Sequence, residues 1–337
     1  MKPATLLIIL LLAAITFGQE NHRRIGEIDF YGYAGLDLEK VRAALPLREG
    51  DDFRDSDSAF VETIDRIKAA ITKVIGKPPT DIAVVCCDDQ GGQMIYIGLP
   101  GKSMRRVPYN PPPKGTVRFP AGVIDLYQQT MEASSKAVRS GASKEDDSEG
   151  YSLSTDPELR AKQLATREYA THHERLVLSV LASSKDAEQR IAVAHILGYA
   201  RQSKEQIGAL VRASYDADET VRNNAIRALW VLAQSNPRVA ARIPTEHFIA
   251  MLSSGSWTDR NKAGFLLDEL SRRRNPRLLS RLRSQALDSL IEMARWRSRG
   301  HAGTARILLG RIAGIEETRL RQLVDAGGVE QILNALK

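Results

Sequence analysis

The stretch Asp218-Glu219-Thr220-Val221-Arg222-Asn223-Asn224-Ala225 decides how this chain is read. An Asp that can cap a helix stands ahead of Val, Arg and Ala at helical spacing. Leu229 follows Arg222 by seven residues. The frame recurs on either side. Arg190 is followed by Leu197, Arg260 by Ala263 and Leu267, and Ala302, in the Arg place, by Ala305 and Leu309. A small residue three positions on lets neighbouring helices approach, and Leu at seven fills the space between copies. Each copy precedes a second apolar segment: Ile207 to Val211, Phe248 to Leu252, Leu278 to Met293 and Leu320 to Leu336. The repeating unit is therefore a helical hairpin, too small to fold alone and stabilised by stacking. Asp186, Asp218 and Asp259 are expected to cap three of the first helices, and a helix pair from Pro157 to Leu181 to close the stack.

These features resemble HEAT repeats, in particular the subset with an Asp-x-x-Val-Arg-x-x-Ala pattern. The copy at Asp259-Arg260-Asn261-Lys262-Ala263 is shortened, the first has Val193 where Ala is expected, and the last lacks Arg. The resemblance implies an α-solenoid over 157–337 that scaffolds protein–protein contacts. Repeats of this pattern also occur in proteins resembling chromophore lyases of phycobilisomes, which leaves an enzyme or enzyme accessory as an alternative.

Upstream, Ile25 to Phe30 alternates, with Ile28 and Phe30 on one face and Glu27 and Asp29 on the other, as a half-buried strand does. Asp37 can cap a short helix carrying Leu38, Val41 and Leu45. Phe60, Ile64, Ile67, Ile71 and Val74 form one apolar stripe of a second helix. Ile82 to Cys87 and Met94 to Leu99 read as strands, and the turn Asp88 to Gly92 makes them a hairpin. The order β-α-α-β-β over 22–100, with Leu47 to Gly50 and the closing hairpin, resembles a POTRA domain. That resemblance implies an exported module that binds polypeptides by adding a strand to a sheet edge. Neighbouring side chains on a strand point to opposite faces, so Cys86 and Cys87 are expected as two separate thiols.

Between these parts, 101–156 reads as a linker. Pro108, Pro111 to Pro113 and Gly115 mark an extended connector. Val123, Leu126, Tyr127, Met131 and Val138 mark an amphipathic helix. Ser140 to Ser154, rich in Ser, Gly and acids, reads as a flexible loop without the ligand spacing of a calcium site.

The first 18 residues read as a signal peptide. Lys2 precedes the uncharged apolar run Ala4 to Phe17, which is short for a membrane span, and Thr16-Phe17-Gly18 suits cleavage after Gly18. Export to the periplasm or medium is expected, an uncleaved anchor being the alternative. The chain has 337 residues, 43% hydrophobic and 6% aromatic, with a net charge of +7, a composition that excludes collagen-like and disordered chains.

Two groups of residues are candidates for binding. Arg222, Asn223, Asn224, Trp257, Asp259, Arg260, Asn261, Lys262, Trp296, Arg299 and His301 occupy equivalent or adjacent places in successive copies, where stacking would align them into a ridge; Trp and Arg are common at interface hot spots. The alternative is that they bridge neighbouring repeats. Arg272, Arg273, Arg274, Arg277, Arg281, Arg283, Arg295, Arg297 and Arg299 form a basic tract opposed locally only by Asp288 and Glu292. It suits carboxylate or phosphate, whether on an acidic protein segment, a polysaccharide or lipid headgroups. No nucleophile, acid and base converge in sequence. His172-His173-Glu174 lacks the spacing of a helical zinc site, and His195, His247 and His301 stand alone. The expectation is a non-enzymatic adaptor without metal or cofactor, with a protein partner, an anionic envelope surface as an alternative, and no nucleic acid.

Overall fold

A computed structural model describes residues 22–54, 57–142 and 144–337. The expected signal peptide lies outside them. The first elements are β1 (His22–Tyr31), α1 (Leu38–Ala44), β2 (Asp52–Arg54), α2 (Asp57–Ile75), β3 (Asp81–Cys86) and β4 (Gln93–Gly98). Next come α3 (Ala121–Arg139), the hairpin β5 (Glu145–Asp146) and β6 (Leu153–Ser154), α4 (Pro157–His172), α5 (Glu174–Ser183), α6 (Ala187–Leu197), α7 (Lys204–Ala213) and α8 (Glu219–Ser235). The chain ends with α9 (Pro237–Ala240), α10 (Glu246–Met251), α11 (Trp257–Leu270), α12 (Pro276–Ala294), α13 (Arg299–Ile312), α14 (Glu317–Asp325) and α15 (Val329–Asn334). Among the described residues, no helix is long and apolar enough to cross a membrane.

Two compact units form, and they do not follow chain order. One is Pro108–Pro244; the other joins the α/β module before residue 108 to Thr245–Lys337. In the first unit α6 packs on α5 and α8, and α7 on α8; in the second, α12 and α11 both pack on α13. Both units are thus built from helical hairpins, a helical-repeat fold. Asp186 and Asp218 cap α6 and α8 as the sequence predicts. Asp259 does not cap α11. Ser256 holds the cap position, and Asp259 is buried in the first turn, where it accepts a hydrogen bond from Ser254 Oγ at 2.8 Å. The expected last helix, Leu320 to Leu336, is two short ones, interrupted at Gly327-Gly328.

The sheet of the second unit runs β2-β1-β4-β3, with β1 parallel to β4 and the other pairs antiparallel. One face holds Ile28, Phe30, Ile95 and Ile97 over Val41 of α1 and Ile64, Ile67 and Ile71 of α2. Val74, expected in that stripe, is exposed, and Ile75 packs there instead. The short strand β2 separates α1 from α2, so the order is β-α-β-α-β-β rather than the expected β-α-α-β-β. The free-thiol expectation is also corrected. Cys86 and Cys87 form a disulfide, with Cα atoms 3.1 Å apart across a cis peptide. Strand geometry ends at Cys86, so the alternation that keeps neighbours apart does not apply to the pair. The acidic segment 144–154 is no open loop either. It folds back as the β5–β6 hairpin, anchored where Glu145 pairs with Arg227 of α8 and where Ser154 N–H donates to Gln163 Oε1 at 2.6 Å.

Within the first unit, one link between hairpins is electrostatic. Arg190 of α6 donates from Nε and Nη2 to Asp216 at 2.8 and 3.0 Å, and both side chains are buried. A buried pair of this kind is costly to break from one side, because the surviving charge stays in the interior. Replacing Asp216 with Ala is expected to lower unfolding stability by about 3–5 kcal/mol. Denaturant titration checks this, and a loss well under 1 kcal/mol would contradict it.

Candidate functional site

The repeat Arg turns inward in the first three copies. Arg190 Nη1 donates to the carbonyl of Ser184 at 3.0 Å, Arg222 Nη1 to that of Asp216 at 2.9 Å, and Arg260 Nε to that of Ser254 at 2.6 Å. The acceptor lies six residues before the Arg each time, so one guanidinium fixes the turn that enters its own helix. In the fourth copy, Ala302 cannot make the bond. The neighbouring carbonyl, seven residues before the Arg, faces outward. Tyr215 C=O accepts Asn110 N–H at 2.7 Å, and in the other unit Ser253 C=O accepts Arg105 N–H at 2.8 Å.

That outward contact belongs to a strap. In the first unit, residues 108–120 lie along the turns that enter α8 and then α6. Tyr109 stacks on the Arg222 guanidinium, which sits 3.8 Å from the ring centroid. Gly115 forms a parallel bridge with Ser184, and its carbonyl accepts Lys185 N–H at 2.8 Å. A Cβ on Gly115 would stand 2.5 Å from the Ser183 carbonyl oxygen, so only glycine permits this approach. Arg118 pairs with Asp186 at 2.5 Å, and Phe119 N–H donates to Gln189 Oε1 at 2.8 Å. The Phe119 ring meets Tyr169 edge-on. Pro113, Gly115, Val117 and Phe119 are half-buried or buried, while Lys114, Thr116 and Arg118 between them are exposed. Such period-two burial is how an extended chain lies on a surface. Sequence reasoning recognised the extended conformation of this connector but not its docking. The inward alternation at Val107, Tyr109, Pro113, Gly115, Val117 and Phe119 was the available signal.

The expected ridge is corrected in the second unit. Trp257, Asp259, Arg260, Asn261 and Trp296 are all buried there, because the α/β sheet lays its other face on α11, α12 and α13. Tyr96 stacks on Trp257 at 5.0 Å and meets Trp296 and His301 edge-on. Trp296 Nε1 donates to the Phe30 carbonyl at 3.1 Å. Glu292 gathers the β1–α1 loop. Its carboxylate accepts the N–H groups of Gly32, Tyr33 and Ala34 at 2.7, 2.9 and 2.9 Å and the hydroxyl of Ser103 at 2.5 Å, and Arg260 lies 3.5 Å away. Gly32 has φ +73° and abuts the Leu99 carbonyl, a position closed to side chains. Asp29, read as solvent-facing, is buried beside Arg297, and desolvation raises its pKa above the ordinary carboxyl value despite that cation. Of the ridge, Lys262 and His301 are half-buried and Arg299 is exposed. In the first unit Arg222 is buried and Asn223 and Asn224 are half-buried, Asn224 donating to the Ile191 carbonyl at 3.1 Å.

The basic tract does not act as a block of free charge. Arg272 pairs with Glu269, Arg274 with Glu317, Arg281 with Glu246, Arg295 with Glu330, and Arg297 with both Glu49 and Asp29. Arg283 donates to the Leu336 carbonyl. Local counting saw only Asp288 and Glu292, whereas folding supplies acids from distant positions. Arg274, Arg311 and Arg321 together hold Glu317 down to a pKa of about 2, the hydrogen bond from Arg311 acting most. Arg273, Arg277 and Arg299 make no ion pair among the described residues, and they lie at different places on α12 and α13 and the turns before them. No three His, Cys, Asp or Glu side chains group as a metal site among the described residues.

No protein-family model matches the chain, and no curated protein does. Among solved structures, one similar chain comes from a crystal structure of computationally designed armadillo repeat proteins for modular peptide recognition. It is 16% identical, covers 63% of this chain and 90% of its own length, and superposes with a TM-score of 0.36.

Two half-buried histidines are held in the neutral form. His195 lies between Tyr127 and Tyr199, and burial lowers its pKa to about 3; His301, 2.7 Å from the Tyr96 hydroxyl, is lowered to about 4 by burial and by Lys262. A His whose folded pKa lies below its unfolded value near 6.5 gives stability that is present above pH 6.5 and lost as the pH falls toward the folded pKa. Unfolding free energy should therefore drop as the pH is lowered from 6.5 to 5. The His301→Gln variant, which keeps a polar partner for Tyr96, should show a visibly shallower slope in that window. Equal slopes in denaturant titrations of the two proteins would contradict the assignment.

Proposed function

We propose that this protein is an exported, non-enzymatic scaffold whose helical hairpins hold an extended polypeptide. The observation that carries the reading is the strap: turns of successive hairpins already grip an extended chain, through main-chain atoms and a few side-chain anchors. A main-chain grip of this kind suits any extended segment, with pockets for alternate residues adding selectivity. The Asp-x-x-Val-Arg-x-x-Ala pattern supports placing the hairpins among HEAT-like repeats. The sheet retains β3 as an edge strand, which supports a POTRA-like role in strand addition for the α/β module. The amino-terminal apolar run supports export, and a disulfide at Cys86–Cys87 fits an oxidising compartment. The ion-paired state of the Arg tract favours a protein partner over an anionic envelope surface.

A photo-reactive amino acid placed in living cells at Glu188 or Arg273, both exposed, tests this. Discrete cross-linked adducts with another protein of the exported fraction are expected from at least one position. Absence of any discrete adduct from both, with the protein folded and present, would contradict the scaffold reading.

A further inference from the structure

The strap is bound as a ligand is bound, yet it is part of the chain. Its contacts in the first unit fall at three places. The Tyr109 ring lies on Arg222 while the next N–H reaches the Tyr215 carbonyl. Gly115 passes against Ser183 and pairs with Ser184 and Lys185. Arg118 and Phe119 end on Asp186, Gln189 and Tyr169. The receiving groups are the Tyr215 carbonyl, the Lys185 amide, the Arg222 guanidinium face, the Asp186 carboxylate, the Gln189 side-chain oxygen and the Tyr169 ring. The turns that carry the Tyr215 and Lys185 groups are bonded from inside the stack by Arg222 and Arg190. Between the anchors the strap is largely exposed: Asn110, Pro111, Pro112, Lys114 and Thr116 face solvent. The run Pro111-Pro112-Pro113 keeps that span extended, so little conformational entropy is lost on docking.

We propose that the track along the turns entering α8 and α6 is a binding site for an extended segment of a partner protein with the strap's own pattern: an aromatic residue, a glycine six positions on, and a second aromatic four beyond it. The strap occupies that site in cis, and a partner engages by displacing it. This deepens the scaffold reading and rests on it. A tethered segment has a high effective concentration, so the intact protein binds such a partner weakly until the strap is loosened. Glycine is required at the middle position on either side of the exchange, because a Cβ there meets the Ser183 carbonyl at 2.5 Å.

The test uses the full chain and a fluorescein-labelled synthetic peptide of residues 108–119, followed by anisotropy. The Gly115→Val protein should release its strap, read as faster tryptic cleavage after Lys114 and Arg118 than in the wild type. It should bind the peptide at least tenfold more tightly than the wild type does. The same peptide carrying Gly115→Val should not bind either protein. Should Gly115→Val not fold, the double variant Tyr109→Ala/Arg118→Ala removes the Arg222 stacking contact and the Asp186 ion pair at the two ends of the strap and serves in its place. A released strap with no peptide binding, equal binding of the two peptides, or a strap that stays protected from trypsin in both variants would overturn the proposal. So would a released variant that elutes as a dimer, because the track would then take a second copy. The cross-linking result at Arg273, which lies in the other unit, is independent of these outcomes, so the scaffold reading can stand when this one fails.

Discussion

In three of the four repeats, the turn that enters the first helix depends on a guanidinium bonded to a carbonyl six residues behind it. A turn between helices leaves carbonyls without helical partners, and burying them unpaired is costly. Arg190, Arg222 and Arg260 each satisfy one such group from inside the stack. With that carbonyl bonded inward, the one before it faces outward, where Tyr215 accepts the strap amide of Asn110 and, in the other unit, Ser253 accepts the amide of Arg105. One residue type at one place in the repeat thus does two things: it closes the interior and orients the exterior. The arrangement also explains why the pattern needs Arg rather than Lys. A planar fork can bond a carbonyl and a carboxylate together, as Arg190 does with Ser184 and Asp216.

In the second unit the outward side of the hairpins is covered by the sheet. Glu292 binds three successive amides of the β1–α1 loop, a cradle that no single sequence motif announces. Tyr31 and Tyr96 fill the face opposite the aliphatic core and meet Trp257 and Trp296. A sheet covered on both faces needs apolar residues at consecutive positions, and the run Met94 to Leu99 has that character. The aromatic and polar residues that stand out in the repeat sequence are therefore spent on an intramolecular joint.

Local pattern was legible and long-range pairing was not. The 3.6-residue period placed α6, α7 and α8, with Asp caps at α6 and α8; alternation placed β1, and continuous apolar runs around a turn placed β3 and β4. The binding ridge failed because Trp257 and Trp296 look alike in sequence whether they face solvent or a sheet; the decision lies with Tyr96, more than 150 positions away. The ion pairing of the Arg tract was hidden for the same reason, since Glu49, Glu246 and Glu330 are remote in sequence. The strap fell between these cases. Its extended form followed from proline, but several of its partners are main-chain atoms of turns, and main-chain atoms carry no sequence signal.

The most direct measurement is hydrogen exchange at the Lys185 amide, which donates to the strap carbonyl of Gly115 from the turn that Arg190 holds. The account predicts slow exchange in the wild type. In Arg190→Lys it predicts exchange at least tenfold faster, while the Leu210 amide within α7 keeps its protection. Equal exchange at Lys185 in the two proteins would contradict it.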